Sequence, residues 1–306
     1  MCPSPADARA GAVTAERGIA KLIALTRLMA FGSRQPITRT PAEAGLAFEE
    51  VPFPATDGVD LRGWFVPAGP AQGPAVVWVH GWLWNRVGNV SGRVPFVDRD
   101  VDFLPATKAL HDAGFHVLMF DLANHGESGA RPPLTQGVWE AHDARGAVRY
   151  LVSRPDVDAD RIGVIGTSAG ANTALYAIAD GAPAKALLAI QPTKLTDFNR
   201  NFARTQLGPL GPLCARGTNL LYAFLRAPLP IRHDPAIPAR QLDDTIVQYV
   251  QGTGDPWGEL KVVERFSRVT PHSLGVISYH SAGRYEGYQY VSRETPSIVE
   301  FFTAHL

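Results

Sequence analysis

A chain of 306 residues, 45% hydrophobic and 19% charged, can bury one large core. Its 29 basic and 29 acidic residues cancel at neutral pH, so no overall field draws in nucleic acid, and 29 Gly with 25 Pro follow no collagen or repeat period. Two cysteines, Cys2 and Cys214, exclude a disulfide framework and a cysteine-rich metal site and fit a reducing compartment, so a cytoplasmic location is expected.

Residues 1–41 read as an N-terminal helical extension. Their apolar run, with Leu22, Ile23, Leu25, Leu28, Met29 and Phe31, is interrupted by Lys21 and Arg27. It falls short of the roughly 20 apolar residues that span a bilayer. The uncharged opening Met-Cys-Pro-Ser-Pro and the lack of a small-residue cleavage site argue against a secretory signal. The segment carries Arg9, Arg17, Lys21, Arg27, Arg34 and Arg39 against Asp7 and Glu16. A helix packed on the outside of the domain is the favoured reading, and a basic helix resting on anionic lipid is the lesser one.

Beyond it, residues 48–53 and 61–66 flank Asp57-Gly58, a turn dipeptide, and predict an antiparallel hairpin. Continuous apolar runs at 75–79, 115–120, 161–165 and 186–190 predict strands covered on both faces, with further strands at 245–250 and 274–279. Between 138 and 152, Ala141, Ala144, Val148 and Leu151 recur at helical spacing. Strand–helix alternation implies an α/β fold with a mostly parallel central sheet flanked by helices. Residues 193–240, rich in Pro, Gly and Arg, break the rhythm and read as an inserted cap with one helix at 218–226. Residues 42–306 are otherwise one domain.

Gly166-Thr167-Ser168-Ala169-Gly170 follows a predicted strand and opens the helical run 169–179. In that setting G-x-S-x-G has a physical reason: a sharp strand-to-helix turn strains the serine backbone, glycines remove clashing side chains, and the hydroxyl stands at a helix N-terminus. The plainer reading is a Gly-rich turn whose serine caps the helix.

With three more segments the chain resembles the α/β-hydrolase superfamily, in a bacterial esterase-like branch related to the prolyl-oligopeptidase group, from about residue 48 onward. These are Val77-Trp78-Val79-His80-Gly81-Trp82, the D-x-x-x-H-G-x-S segment Asp121 to Ser128, and Asp160 to Ser168. The resemblance implies Ser168 as nucleophile, backbone N–H groups of Trp82 and Ala169 as the oxyanion hole, and an acid after the penultimate strand. That acid falls on Asp255 in Gly252-Thr253-Gly254-Asp255, with Asp243, Asp244 and Asp197 as weaker candidates and a Gly-Asp-Pro turn as the plainer reading.

The histidine departs from the family pattern. Strict alignment of the last loop places Arg284 at the base position, and a guanidinium stays protonated at neutral pH. His280, four residues earlier, is the candidate base; His272 lies at the wrong end of its strand, and His125 follows a different strand. Trp82 and Trp84 are the candidate substrate-binding residues, with cap aromatics such as Phe198 and Phe202 behind them. There is no H-E-x-x-H, P-loop or dinucleotide fingerprint, so neither metal nor cofactor is expected. The implied activity is hydrolysis of a carboxylic ester or related acyl bond of a small molecule through an acyl-enzyme. The rival reading is a non-hydrolytic or binding member without a competent histidine. Zero net charge leaves homo-oligomers open, and none is expected.

Overall fold

The computed structural model describes residues 19–306. Helix α1 (Ile19–Phe31) is the described part of the N-terminal extension, while Cys2, Asp7, Arg9, Glu16 and Arg17 lie outside the described residues. Leu25 and Met29, one turn apart, face inward, and Ile23, Arg27 and Phe31 face solvent.

Strands β1 (Glu49–Pro54) and β2 (Asp60–Val66) form the expected hairpin, with Gly58 at a φ of 92° in its turn. There follow β3 (Gly73–Val79), α2 (Leu104–Asp112), β4 (His116–Asp121), α3 (Ala141–Ser153) and β5 (Val157–Thr167). Next come α4 (Ala169–Ala179), β6 (Ala186–Ile190), α5 (Leu195–Leu207), α6 (Gly211–Phe224) and β7 (Ile246–Gly252). The chain closes with α7 (Leu260–Val269), β8 (Ser273–Tyr279) and α8 (Thr295–His305).

The eight strands make one sheet in the order β1-β2-β4-β3-β5-β6-β7-β8. Within this sheet only β1–β2 and β2–β4 pair antiparallel. Alternate residues point to opposite faces, which the two cores record. Val77, Val79, Leu118, Phe120 and Val164 pack with α3, α4 and α7. Val76, Trp78, Val117, Met119 and Ile165 pack with α2 and α8. Burial on both faces explains why these strands read as unbroken apolar runs.

Residues 193–240 differ from expectation. Where one helix was predicted at 218–226, two long helices stand. In α5 the buried Leu195, Phe198, Phe202 and Ala203 follow helical spacing, but intervening Asn, Arg and Gln dilute the pattern. In α6, Pro212 sits in the first turn, where its missing N–H costs nothing. Gly211 permits the close α5–α6 approach, since a Cβ there would lie 2.6 Å from the Arg204 backbone nitrogen.

Candidate active site

Ser168 stands at the carboxyl end of β5, with φ 55° and ψ −120°. A non-glycine residue holds this conformation only where its surroundings impose it. Its N–H is tied to Ile190 O at 2.8 Å, and its carbonyl accepts from Ala171 and Asn172 N–H in the first turn of α4. The flanking glycines are required by contact: a Cβ on Gly166 would lie 2.6 Å from Ala171 Cα, and one on Gly170 only 2.0 Å from Val79 O. The spacing of the pentapeptide is therefore the spacing at which α4 can lie against β3.

The opposite wall comes from the loop after β3. A Cβ on Gly81 would lie 3.3 Å from Ser168 Cβ, so this turn abuts the nucleophile position. No carbonyl among the described residues accepts the N–H of Trp82, and Ala169, as the first residue of its helix, also has a free N–H. The loop is pinned by buried ionic contacts. Arg86 donates to Asp121 through Nη2 (2.6 Å) and Nε (3.0 Å), and its N–H reaches the same carboxylate at 2.7 Å. This accounts for D-x-x-x-H-G-x-S: the Asp121 carboxylate fills the space a Cβ on Gly126 would need, and Ser128 Oγ donates to Asp121 O. His80 and His125 are neutral supports. Burial and the neighbouring His125 push His80 down to about 3, and burial lowers His125. Leu122 N–H donates to His80 Nε2 at 3.0 Å, and Leu83 N–H to His125 Nε2 at 3.3 Å.

The third wall is where sequence and structure part. The Asp255 side chain is fully buried in the loop after β7 and accepts Trp257 N–H at 2.9 Å and Gln251 Nε2 at 3.2 Å. Its main partner is Arg284, whose Nη1 bonds Asp255 Oδ2 while Nη2 donates to Ser168 Oγ at 3.0 Å. His280 does not join them. Strand β8 stays paired with β7 through Tyr279, and His280 is exposed at its end, hydrogen-bonded to neither Ser168 nor Asp255. The turn Arg284–Gly287 then delivers the arginine to the place where an imidazole would be needed. The guanidinium lies 5.3 Å from the ring centres of both Phe198 and Tyr288. Burial opposes its charge, but Asp255 and the Tyr288 and Tyr285 phenols more than offset this and hold its pKa above the ordinary arginine value.

Trp82 belongs to an apolar cluster with Phe198, Phe202, Trp257 and Ala169, the residue after Ser168. Trp84, expected in the pocket, instead sits in the core beside Phe103, its ring at 4.8 Å edge-on to Tyr288. It supports Tyr288 from behind, because core packing uses up its surface. Three groups escaped sequence reasoning. Gln191, at φ 50° after β6, donates from Nε2 to Arg284 O at 3.0 Å and accepts Gly252 N–H at 3.3 Å, tying the third wall together. Asn172 exchanges hydrogen bonds with Thr193, tying α4 to the cap entrance. The buried Tyr288 hydroxyl, pushed up to about 12 by burial, lies beside Ser168 and Arg284 without a partner of regular hydrogen-bond geometry. The polar residue directly after an apolar strand was the available signal for Gln191. Among the described residues, no group of three or more His, Cys, Asp or Glu is placed to hold a metal ion.

Residues 76–288, more than half of the chain, match the alpha/beta hydrolase family. The chain belongs to that family. It is 34% identical over 143 residues to the uncharacterized protein YfhR of Salmonella typhi, covering 45% of this chain and 42% of that one. Against the thiohydrolase aneE of Aspergillus aculeatus it is 33% identical over 131 residues, or 42% of this chain and 37% of the other. The chain thus spans less than half the length of either relative. The Pyrococcus furiosus esterase Pf2001 superposes with a TM-score of 0.68 at 22% identity, over 89% of this chain and 98% of that one. Est1E of Butyrivibrio proteoclasticus, solved with ferulic acid, gives 0.57 at 17%, over 83% and 98%. At these identities the likeness is one of fold. No described helix is long and apolar enough to cross a membrane.

Proposed function

We propose that this α/β-hydrolase family member binds an ester, thioester or carboxylic acid with an apolar group at Ser168, and does not turn it over by serine–histidine catalysis. One observation carries the reading: the group hydrogen-bonded to Ser168 Oγ is the Arg284 guanidinium. Acyl transfer needs an acceptor for the serine proton. A guanidinium has only donors and stays charged, so it engages an oxygen lone pair and takes no proton. Asp255, which would orient an imidazole, here neutralises an arginine. The N–H groups of Trp82 and Ala169 remain suited to a carbonyl or carboxylate oxygen, and the aromatic cluster that contains Ala169 to the apolar part. The cytoplasm is the proposed compartment, with residues 42–306 as the hydrolase domain and 193–240 as its cap.

The second reading, a serine esterase working through an acyl-enzyme, draws on the elbow. Ser168 holds a strained backbone beside two free N–H donors, more preparation than binding alone requires. The names of the esterase and thiohydrolase relatives speak for acyl bonds under both readings. Fluorophosphonate labelling and p-nitrophenyl acetate turnover separate them when the wild type is compared with Ser168→Ala, His280→Ala and Arg284→His. The first reading expects wild-type turnover no faster than that of Ser168→Ala, with Ser168-dependent turnover emerging in Arg284→His. Ser168-dependent wild-type turnover that disappears in His280→Ala would establish the second and end the first.

A further inference from the structure

A solvent-facing helix surface of a globular protein is ordinarily polar; that of α6 is not. Its buried side carries Gly211, Cys214, Thr218 and Tyr222. Its outer side carries Leu213, Leu220 and Phe224, spaced seven and four residues apart and so in line along one face. Leu220 is 73% and Phe224 84% exposed. The turn Pro230–Arg232, packed against α6, adds the exposed Ile231. Helix α1 lies alongside, with Thr26 Oγ1 3.9 Å from Cys214 Sγ, and presents Ile23 and Phe31 outward on either side of Arg27.

The charge on this surface is mainly positive. Across α5, α6 and the turn after them stand Arg200, Arg204, Arg216, Arg226 and Arg232 against Asp197, which pairs with Arg200, and α1 contains no acidic residue. Among the described residues no carboxylate pairs with Arg27, Arg216, Arg226 or Arg232. Apolar side chains flanked by unpaired arginines suit an interface that is greasy inside and negative at its surface. Face-to-face association of two copies would instead oppose arginine to arginine with no carboxylate between them.

We infer that the outer face of α6 and α1 docks on an anionic lipid bilayer, inserting Leu220 and Phe224 at the headgroup level while the arginines meet lipid phosphates. Because α6 packs on α5, whose Phe198 and Phe202 cluster with Ala169 beside Ser168, docking brings the membrane to the helix pair next to the site. The inference stands independently of whether Ser168 catalyses.

Co-sedimentation of the full chain with vesicles tests it. The protein is expected to pellet with phosphatidylglycerol–phosphatidylcholine vesicles, less so at high salt, and weakly with phosphatidylcholine alone. Leu220→Ser/Phe224→Ser should reduce binding about tenfold or more, and Arg216→Gln/Arg226→Gln should reduce it on anionic vesicles only. All four positions are exposed, so thermal melts should match the wild type. Failure to pellet, or equal pelleting by the wild type and the Leu220→Ser/Phe224→Ser variant, would overturn the inference. So would a dimer in ultracentrifugation that this variant dissolves, without vesicle binding.

Discussion

The two halves of the site use different materials. At the ends of β3 and β5 the free hydrogen-bond donors are backbone groups, the N–H of Trp82 and of Ala169, beside glycines with no room for a Cβ. At the ends of β7 and β8 the group that meets Ser168 Oγ is a side chain, the Arg284 guanidinium. A function built on the main chain can be altered only by moving the fold, whereas one built on a side chain changes with a single residue. The donor half accordingly keeps two free N–H groups, and the acceptor half presents a guanidinium.

The largest effect should come from restoring the acceptor. Arg284→His is expected to raise p-nitrophenyl acetate turnover by about 10²–10⁴-fold, with the gain lost again when Ser168→Ala is added. A folded Arg284→His protein with no gain would move the defect into the donor half and erase the contrast. Next, Asp255→Ala leaves a buried cation without its partner and should cost about 3–5 kcal/mol in urea unfolding. Adding Arg284→Met should recover most of that loss. If the single variant loses nothing, the pair does not hold this half together. In the donor half, Gly170→Ala forces a Cβ to within 2.0 Å of Val79 O and should cost about 1–3 kcal/mol or more. Gly217→Ala in α6, with nothing within 4 Å, should instead stabilise by about 0.4–1 kcal/mol.

The last effect is a pH slope from the buried His80 and His125, which hold the loop after β3 and the end of β4. With His80 held near 3 in the fold and near 6.5 when unfolded, the unfolded chain binds the extra proton between those values. Stability therefore falls as pH drops below about 6.5, by up to about 1.4 kcal/mol per unit for this ring. His125, also lowered, adds in the same direction. Asp143, raised by burial to about 7, opposes them, since its neutral form favours the fold increasingly as acid is added. Urea midpoints between about pH 7 and pH 5 should thus decline more steeply in the wild type than in His80→Asn. Equal slopes would remove His80 as the cause.

Most of the architecture was legible because burial on both faces writes strands as unbroken apolar runs, and because each motif answers a contact, as Gly126 answers the Asp121 carboxylate. The sequence order of Ser168, Asp255 and residue 284 also carried the site's layout. What sequence could not carry was reach. His280 is only four residues from the base position, yet the pairing of β8 through Tyr279 leaves it outside. Composition likewise could not tell a pocket wall from a core filler, and so Trp84 was assigned to the wrong one. Gln191 acts through partners distant in sequence, and Tyr288 lies beside Ser168, 120 residues earlier, which a linear pattern does not display.

Two aromatic side chains of the cluster that contains Ala169 bring a consequence of their own. Among the described residues, the buried indole nitrogens of Trp82 and Trp257 have no hydrogen-bond partner. An oxygen-bearing guest that reached them would change the polarity felt by two fluorophores at once, so its arrival would be visible as a colour shift in emission, with no dye attached and no reaction needed.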